Sequence, residues 1–595
     1  MTTRSTRSPR RRTVVALAIV LVIIVGFVAR LVDIQVVNAS DNVKQSLGLG
    51  LADSQTLAGT RGSIVDENGQ PLASSVLTYD AQLDPLNVGP IPRSDGKGGT
   101  TQVSWDQLSG EMGAITGQSA QDIQAIVSQA LADNPQSRFA YLKRGLSTEQ
   151  YRALVALGAP FLTFTAQAAR TYPDGAVAGN LVGFVGSDGT PLGGLEMSEN
   201  SCLSSTDGQV AYQRGKDGVV IPGTEQETPA VNGGTLTLTI NRDLQWYLQQ
   251  LIAEQVQNLG AKSGTITVVE VKTGKIRAAA EFPSVDPNNV GASAPQDRAS
   301  RIFTSTFEPG STFKALTASA LIDTGVATPE STVSAASLET FPGGARVRDA
   351  EPHPTNQYTL TGVLIDSSNV GISKFAQQID PNIRVDYLKK FGIGSGSAVG
   401  FVGEQKGEIH PVSQWDPQTF YNTSFGQGLT TTVPELMGAY ETIANDGVKI
   451  PLSLVESCTK EDGTVETPQL PDPTRVISDQ TSTEVRQMLE NVALQGTNAD
   501  AVKIPGYRIG IKTGTAEKYD PATGGYKPDL YFTTMIGMAP MDDPQYLVAI
   551  TLDEPTAVTS SAANAPGFQK AMTQVLKTFR VMPSTTQPTM LPKFG

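Results

Sequence analysis

Five arginines, Arg4, Arg7, Arg10, Arg11 and Arg12, precede an uncharged run of 17 residues from Thr13 to Ala29, TVVALAIVLVIIVGFVA, before Arg30 and Asp33 restore polarity. No feature constrains the chain more, because a helix of roughly this length spans the hydrocarbon core of a bilayer. A cleaved signal peptide needs an A-x-A-like site close behind the run, and none follows. An uncleaved anchor helix is therefore expected over residues 13–37, including a juxtamembrane extension. The basic stub, residues 1–12, stays in the cytoplasm by the positive-inside rule, and everything after about residue 38 is translocated. Past Arg30, the residues Leu31, Val32, Ile34, Val36 and Val37 let an apolar stripe continue beyond the bilayer surface, a face suited to a partner helix.

Outside the membrane there is room for several domains in 595 residues, and 39% hydrophobic with 17% charged residues marks a folded chain. A net charge of −13 argues against nucleic acid as a partner, since phosphates repel an acidic surface. Only two histidines are present, His353 and His410. That leaves no multi-histidine metal site and little room for Ser-His-Asp chemistry, so no metal or cofactor is expected and an enzymatic base would be Lys, Glu or Asp. Cys202 and Cys458 sit in no ligand spacing; they read as two separate buried thiols, with a disulfide left open because sequence does not give their separation.

The fold class reads as mixed α/β (α+β). Residues 38–233 alternate short β-like runs with one capped amphipathic helix, where Ser119 and Asp122 start a stripe of Ile123, Ile126, Val127, Ala130 and Leu131. A second domain, 234–581, opens with Leu236, Leu238 and Ile240 alternating with threonines, then a helix through Val256 and a hairpin turning at Thr273-Gly274. Residues 582–595, rich in Pro and Thr, read as a disordered tail.

The chemistry gathers around EPGSTFKALTASALI. Pro309-Gly310 precedes a helix whose buried face is Phe313, Leu316, Ala320 and Leu321, so Ser311 falls at the helix N-terminus and Lys314 one turn along. A desolvated lysine beside another cation can give up its proton near neutral pH and activate that serine without any histidine. Ser-x-x-Lys alone is weak: Ser94/Lys97 and Ser457/Lys460 share the spacing, in stretches that read as solvated turns. Order strengthens it, with Ser367-Ser368-Asn369 lying 56 positions after Ser311 and Lys512-Thr513-Gly514-Thr515 a further 145 on. The Lys512 copy lies in a β-like run where Gly514 would let a substrate backbone approach. The other copy, Lys272-Thr273-Gly274, reads as a structural hairpin turn, and Ser198-Glu199-Asn200 as an isolated match.

With that triple in place the chain resembles the class B penicillin-binding proteins, monofunctional peptidoglycan DD-transpeptidases. RGSIVDENGQPLA (Arg61 to Ala73), RTYPDGAVAGNLVGFVG (Arg170 to Gly186), GGLE (Gly193 to Glu196), SFGQGLTTT (Ser424 to Thr432), IANDG (Ile443 to Gly447) and GMAPMDDP (Gly537 to Pro544) are similar to the family's recurring segments. Ile511 departs from the small residue expected there. The resemblance implies a pedestal, dimerisation-type domain over 38–233 and a transpeptidase domain with a central antiparallel-type sheet flanked by helices. It implies Ser311 as nucleophile, Lys314 as base, Ser367 as proton relay, Asn369 orienting Lys314 and the donor, Lys512 as the positive field, and Thr513, Gly514 and Thr515 as the substrate-binding strand. Implied partners are stem peptides ending in D-Ala-D-Ala, an acceptor amine, β-lactam antibiotics, a polytopic membrane glycosyltransferase and division proteins. A short stub and single anchor favour the septal type over the elongation type, and a catalytically silent division scaffold is the non-enzymatic alternative.

Overall fold

The computed structural model describes residues 9–33, 51–94, 99–186, 188–214, 220–520, 523 and 525–595. The chain divides into two compact units, Met1–Gly59 with Ser205–Val231, and Thr60–Ser204 with Asn232–Gly595. In the first, Pro9–Val32 is a helix, and its Thr13–Val32 stretch is long and apolar enough to cross a membrane, with none of it buried in protein. Twenty helical residues reach about 30 Å, the hydrocarbon thickness of a bilayer. Ile34, Val36 and Val37 lie outside the described residues. The same unit holds an antiparallel sheet with Gly208–Arg214 between Leu51–Leu57 and Gln226–Thr228.

At the centre of the second unit is a five-stranded, wholly antiparallel sheet in the order Ile276–Phe282, Ser263–Glu270, Tyr546–Asp553, Gly525–Ala539, Gly510–Asp520. Its strands are rich in Val, Ile, Ala and Met that pack on both faces, as a sheet covered by two helical layers requires. Helices Arg242–Leu259 and Ala565–Thr578 cover one face. A second set, Val433–Ala444, Asp479–Gln495 and the helix Lys314–Asp323, forms the rest of the core. The last of these is buried all round from Lys314 to Ile322, rather than along the single face its sequence periodicity predicts. Its own short Ala, Ser and Thr side chains, from Ala315 to Ala320, let other helices close in on every side.

Ahead of it, the helix Ala120–Asp133 carries the expected capping box, in which Ser119 and Asp122 satisfy each other's backbone N–H groups, and Ile123 and Val127 are its buried residues. Three of the recurring segments meet at one buried carboxylate. Glu196 of GGLE, with no exposed side-chain surface, receives Arg61 Nε at 2.6 Å and Arg170 Nε at 2.7 Å, and Tyr172 donates to it at 3.2 Å. A carboxylate so buried is tolerable only with such partners, which fixes the three segments together.

Two expectations are corrected. Cys202 and Cys458 are not separate thiols; they form a disulfide across a sequence separation of 256. The Thr235–Leu238 strand brings them together, pairing with Ile64–Val65 on one side and Val455–Thr459 on the other, so one sheet runs through both sides of the expected boundary at 233. Residues 582–595 are not a disordered tail: their backbone carbonyls and amides are held by Asn491, Gln495 and Thr359. Proline suits them because extended backbone bound through side chains needs few N–H donors of its own.

Candidate active site

Ser311 lies on a tight 3₁₀ turn, Gly310–Phe313, that runs directly into the Lys314–Asp323 helix. Thr312 Oγ1 donates to Pro309 O at 2.8 Å, and the buried Tyr440 hydroxyl donates to Thr312 O at 2.7 Å, so both sides of the turn are pinned. Gly426, of SFGQG, has φ +83° and lies so close that an added Cβ would sit 2.2 Å from Gly310 O; only glycine fits the loop against the turn.

Lys314 is fully buried, and its Nζ is 2.9 Å from Ser311 Oγ and 3.2 Å from Ser367 Oγ, with a further contact to Ser367 O. Ser367 adopts φ +56°, a strained conformation for a residue with a side chain, which turns both its carbonyl and its hydroxyl toward Lys314. From the edge strand, Lys512 Nζ donates to Ser367 Oγ at 3.0 Å and to Thr513 O at 3.1 Å. Four residues from three distant segments thus form one continuous chain, Ser311, Lys314, Ser367, Lys512.

Electrostatics sorts the two amines. Burial lowers the Lys314 pKa well below the usual lysine value, and the charge of Lys512 lowers it further against the pull of Asp349. Burial alone brings Lys512 down to about 7. Of the two, Lys314 is the one placed to be neutral.

Thr513 and Thr515 line the cleft, a cavity of about 280 Å³ shared with Ser311, Ser367, Asn369, Gln427 and Ser561. Ser561 N donates to Thr515 Oγ1 at 3.0 Å. Gly514 also has a packing role: an added Cβ would lie 2.8 Å from Pro309 O and 3.0 Å from Thr312 Cγ2, so its missing side chain admits the serine turn. Asn369 differs from expectation, since its amide donates to Arg348 O at 2.9 Å and Lys314 is not among its partners. It lines the cleft but does not hold the base in this structure.

Sequence reasoning missed Asp349. Its carboxylate accepts from Ser368 Oγ at 2.6 Å and from Val370 N at 2.9 Å, pinning the turn that carries Ser367, and no motif marks it. Of the rejected copies, Ser457 lies on a strand opposite Thr237 and not in a solvated turn, Ser94 ends a strand, and Lys97 lies outside the described residues. Lys272-Thr273-Gly274 does form the hairpin turn, with Lys272 exposed and 3.6 Å from Asp446.

A serine at a turn, a buried amine within hydrogen-bond reach of it, and a lysine-bearing edge strand define a penicillin-recognising serine–lysine protein. Comparison with known proteins agrees. Residues 264–573 match the penicillin binding protein transpeptidase domain, and residues 56–238 the penicillin-binding protein dimerisation domain. Penicillin-binding protein PbpB of Mycobacterium tuberculosis is 35% identical over 96% of this chain and 86% of its own length. Peptidoglycan D,D-transpeptidase FtsI of Escherichia coli is 32% identical over 89% and 85%. Among solved structures, penicillin binding protein 3 of M. tuberculosis in complex with aztreonam aligns with a TM-score of 0.68 at 29% identity, covering 89% of this chain and 98% of that one. This chain belongs to the class B penicillin-binding protein family.

Proposed function

We propose that the chain is a peptidoglycan DD-transpeptidase acting through an acyl-enzyme on Ser311. Ser311 Oγ bonds to the carbonyl of the penultimate D-Ala in a stem ending D-Ala-D-Ala, and its proton passes to neutral Lys314. The C–N bond to the terminal D-Ala breaks as Ser367 relays a proton to that leaving amine. An amine from a neighbouring stem then attacks the ester, forms the cross-link and releases Ser311 with its proton restored. Backbone N–H groups of Ser311 and Thr515 hold the oxyanion, Thr513 and Thr515 take the terminal carboxylate, and Lys512 supplies positive potential to both. β-Lactams open on the same serine and stay because their leaving group remains tethered.

The observation that carries this reading is the 2.9 Å approach of a buried, pKa-lowered Lys314 to Ser311. Its test is peptide mapping after penicillin labelling: the adduct is expected on Ser311, and Ser311→Ala should abolish labelling in a folded protein. An adduct on Ser457 or Ser94 overturns the assignment.

The similarity to PbpB and FtsI across nearly the full chain supports a septal division role, with the N-terminus cytoplasmic, a single membrane pass and the catalytic unit outside. Leu31 and Val32, exposed at the end of the anchor helix, support a partner helix from a polytopic glycan polymerase, which would deliver fresh strands to the cleft. Midcell localisation of a tagged copy tests the first, and loss of co-purified polymerase on Val32→Glu tests the second. Lateral-wall localisation or undiminished co-purification would refute each.

A further inference from the structure

The 582–595 segment ends against the turn that carries Ser367. Lys593 Nζ forms an ion pair with Asp366 Oδ1 at 2.6 Å, and Asp366 is the residue immediately before Ser367. The other oxygen of Asp366 accepts from the Tyr358 hydroxyl at 2.9 Å. Phe594 packs on the Tyr358 ring at 5.2 Å between centroids, so the segment supplies one partner of the carboxylate and packs on the other.

The docking is built, not incidental. Thr359 Oγ1 donates to Pro592 O at 2.6 Å, Asn491 Oδ1 accepts from Leu591 N at 3.0 Å, and Gly595 N donates to Gln357 O at 2.9 Å. An added Cβ on Gly362 would lie 1.9 Å from Lys593 O, so the helix Leu360–Ile365 has a glycine where the segment crosses it. That helix ends at Asp366, so the carboxylate shared by Lys593 and Tyr358 is the last side-chain anchor before the strained serine.

We propose that Lys593 is a positioning residue for acyl transfer, clamping Asp366 so that Ser367 keeps the left-handed conformation from which its carbonyl and hydroxyl both meet Lys314. A positive-φ serine persists only where its surroundings over-determine it. On its C-terminal side Ser368 is fixed by Asp349; on its N-terminal side the corresponding anchor is Asp366 held by Lys593 and Tyr358. This inference rests on Ser311 as the acylated residue.

The experiment is pre-steady-state acylation of the full chain by a chromogenic β-lactam, separating initial binding from the acylation rate constant. Lys593→Met is expected to lower the acylation rate constant about tenfold, near 1.4 kcal/mol of barrier, with initial binding and Tm little changed. Lys593→Arg should restore most of the rate, while Lys570→Met, which removes a remote exposed pair with Glu254, should do nothing. A Lys593→Met rate equal to wild type, a loss wholly in initial binding, or no recovery with arginine overturns the proposal while leaving the Ser311 adduct intact. Absence of that adduct in the wild type would instead remove the reading beneath it.

Discussion

Lys272-Thr273-Gly274 and Lys512-Thr513-Gly514 are the same three residues in two surroundings. The first turns a hairpin between Ser263–Glu270 and Ile276–Phe282, with its lysine 45% exposed and loosely placed between Asp446 and Asp543. The second lies on the outermost strand of the same sheet, with its lysine wholly buried, no carboxylate partner among the described residues, and its Nζ on Ser367. Water screens one charge, while the protein interior carries the field of the other to Lys314. A tripeptide carries chemistry only when burial makes its charge act on something.

The sharpest way to break this contrast is to delete the buried charge. Lys512→Ala should lower the second-order rate of penicillin acylation by about 10²–10³, the range for removing a preorganised electrostatic group from a water-poor site. Stopped-flow or gel-based labelling measures it, and a loss under about threefold would put the charge outside the reaction.

Next in size is the pH profile. Acylation needs Lys314 neutral and Lys512 charged, and burial brings Lys512 to about 7. The group is a base whose pKa is lowered, so its charge is present below about pH 7 and lost above it. The rate constant of the free enzyme should therefore fall roughly tenfold per pH unit above that point. Lys512→Arg, which cannot deprotonate, should move this alkaline limb upward whatever it does to the plateau. An identical limb in both proteins would assign it to another group.

The two glycines should separate activity from stability. Gly514→Ala drives a Cβ against Pro309 O and Thr312 Cγ2, so the serine turn must shift; about a 10–100-fold loss of acylation is expected, with overpacking costing ~1–3 kcal/mol. Gly274→Ala meets Pro451 O at 2.5 Å from a φ of +68°, which should lower Tm by a similar energy and leave acylation per folded molecule unchanged. Crossed results, with activity lost at Gly274, would refute the division of roles.

What was legible in the sequence follows the range of the contacts. Ser311 and Lys314 share one turn of chain, so their meeting could be read from spacing, and the capped Ala120–Asp133 helix and the Thr273-Gly274 turn are equally local. The sequential order of the three motifs located Ser367 and Lys512, although nothing in it gave the hydrogen bond between their side chains. Asp349, the Cys202–Cys458 disulfide and the packed 582–595 segment depend on contacts made across tens to hundreds of residues. The sheet shared across residue 233 was hidden for the same reason: Thr235–Leu238 finds its partners at Ile64 and Val455. The packing role of Gly514 was hidden because its close approach to the Pro309–Thr312 turn is a tertiary contact that an edge-strand pattern does not encode.

The smallest expected effect sharpens the comparison most, because it must be nearly nothing. Lys272 Nζ is 3.6 Å from Asp446 and 3.7 Å from Asp543, both partners being about half exposed or more. At such distances in water a lysine contributes under about 0.5 kcal/mol, and added salt screens even that. Asp446 would not be stranded by its removal, since Arg486 Nη1 binds the same carboxylate at 2.6 Å. Lys272→Met should thus shift Tm by less than the Gly274→Ala variant and keep the acylation rate within about twofold of wild type. The Tm difference between wild type and variant should shrink further in high salt, the mark of a screened surface pair. An acylation loss approaching that of Lys512→Ala would mean that the exposed turn reaches the cleft after all, and the contrast between the two copies would collapse.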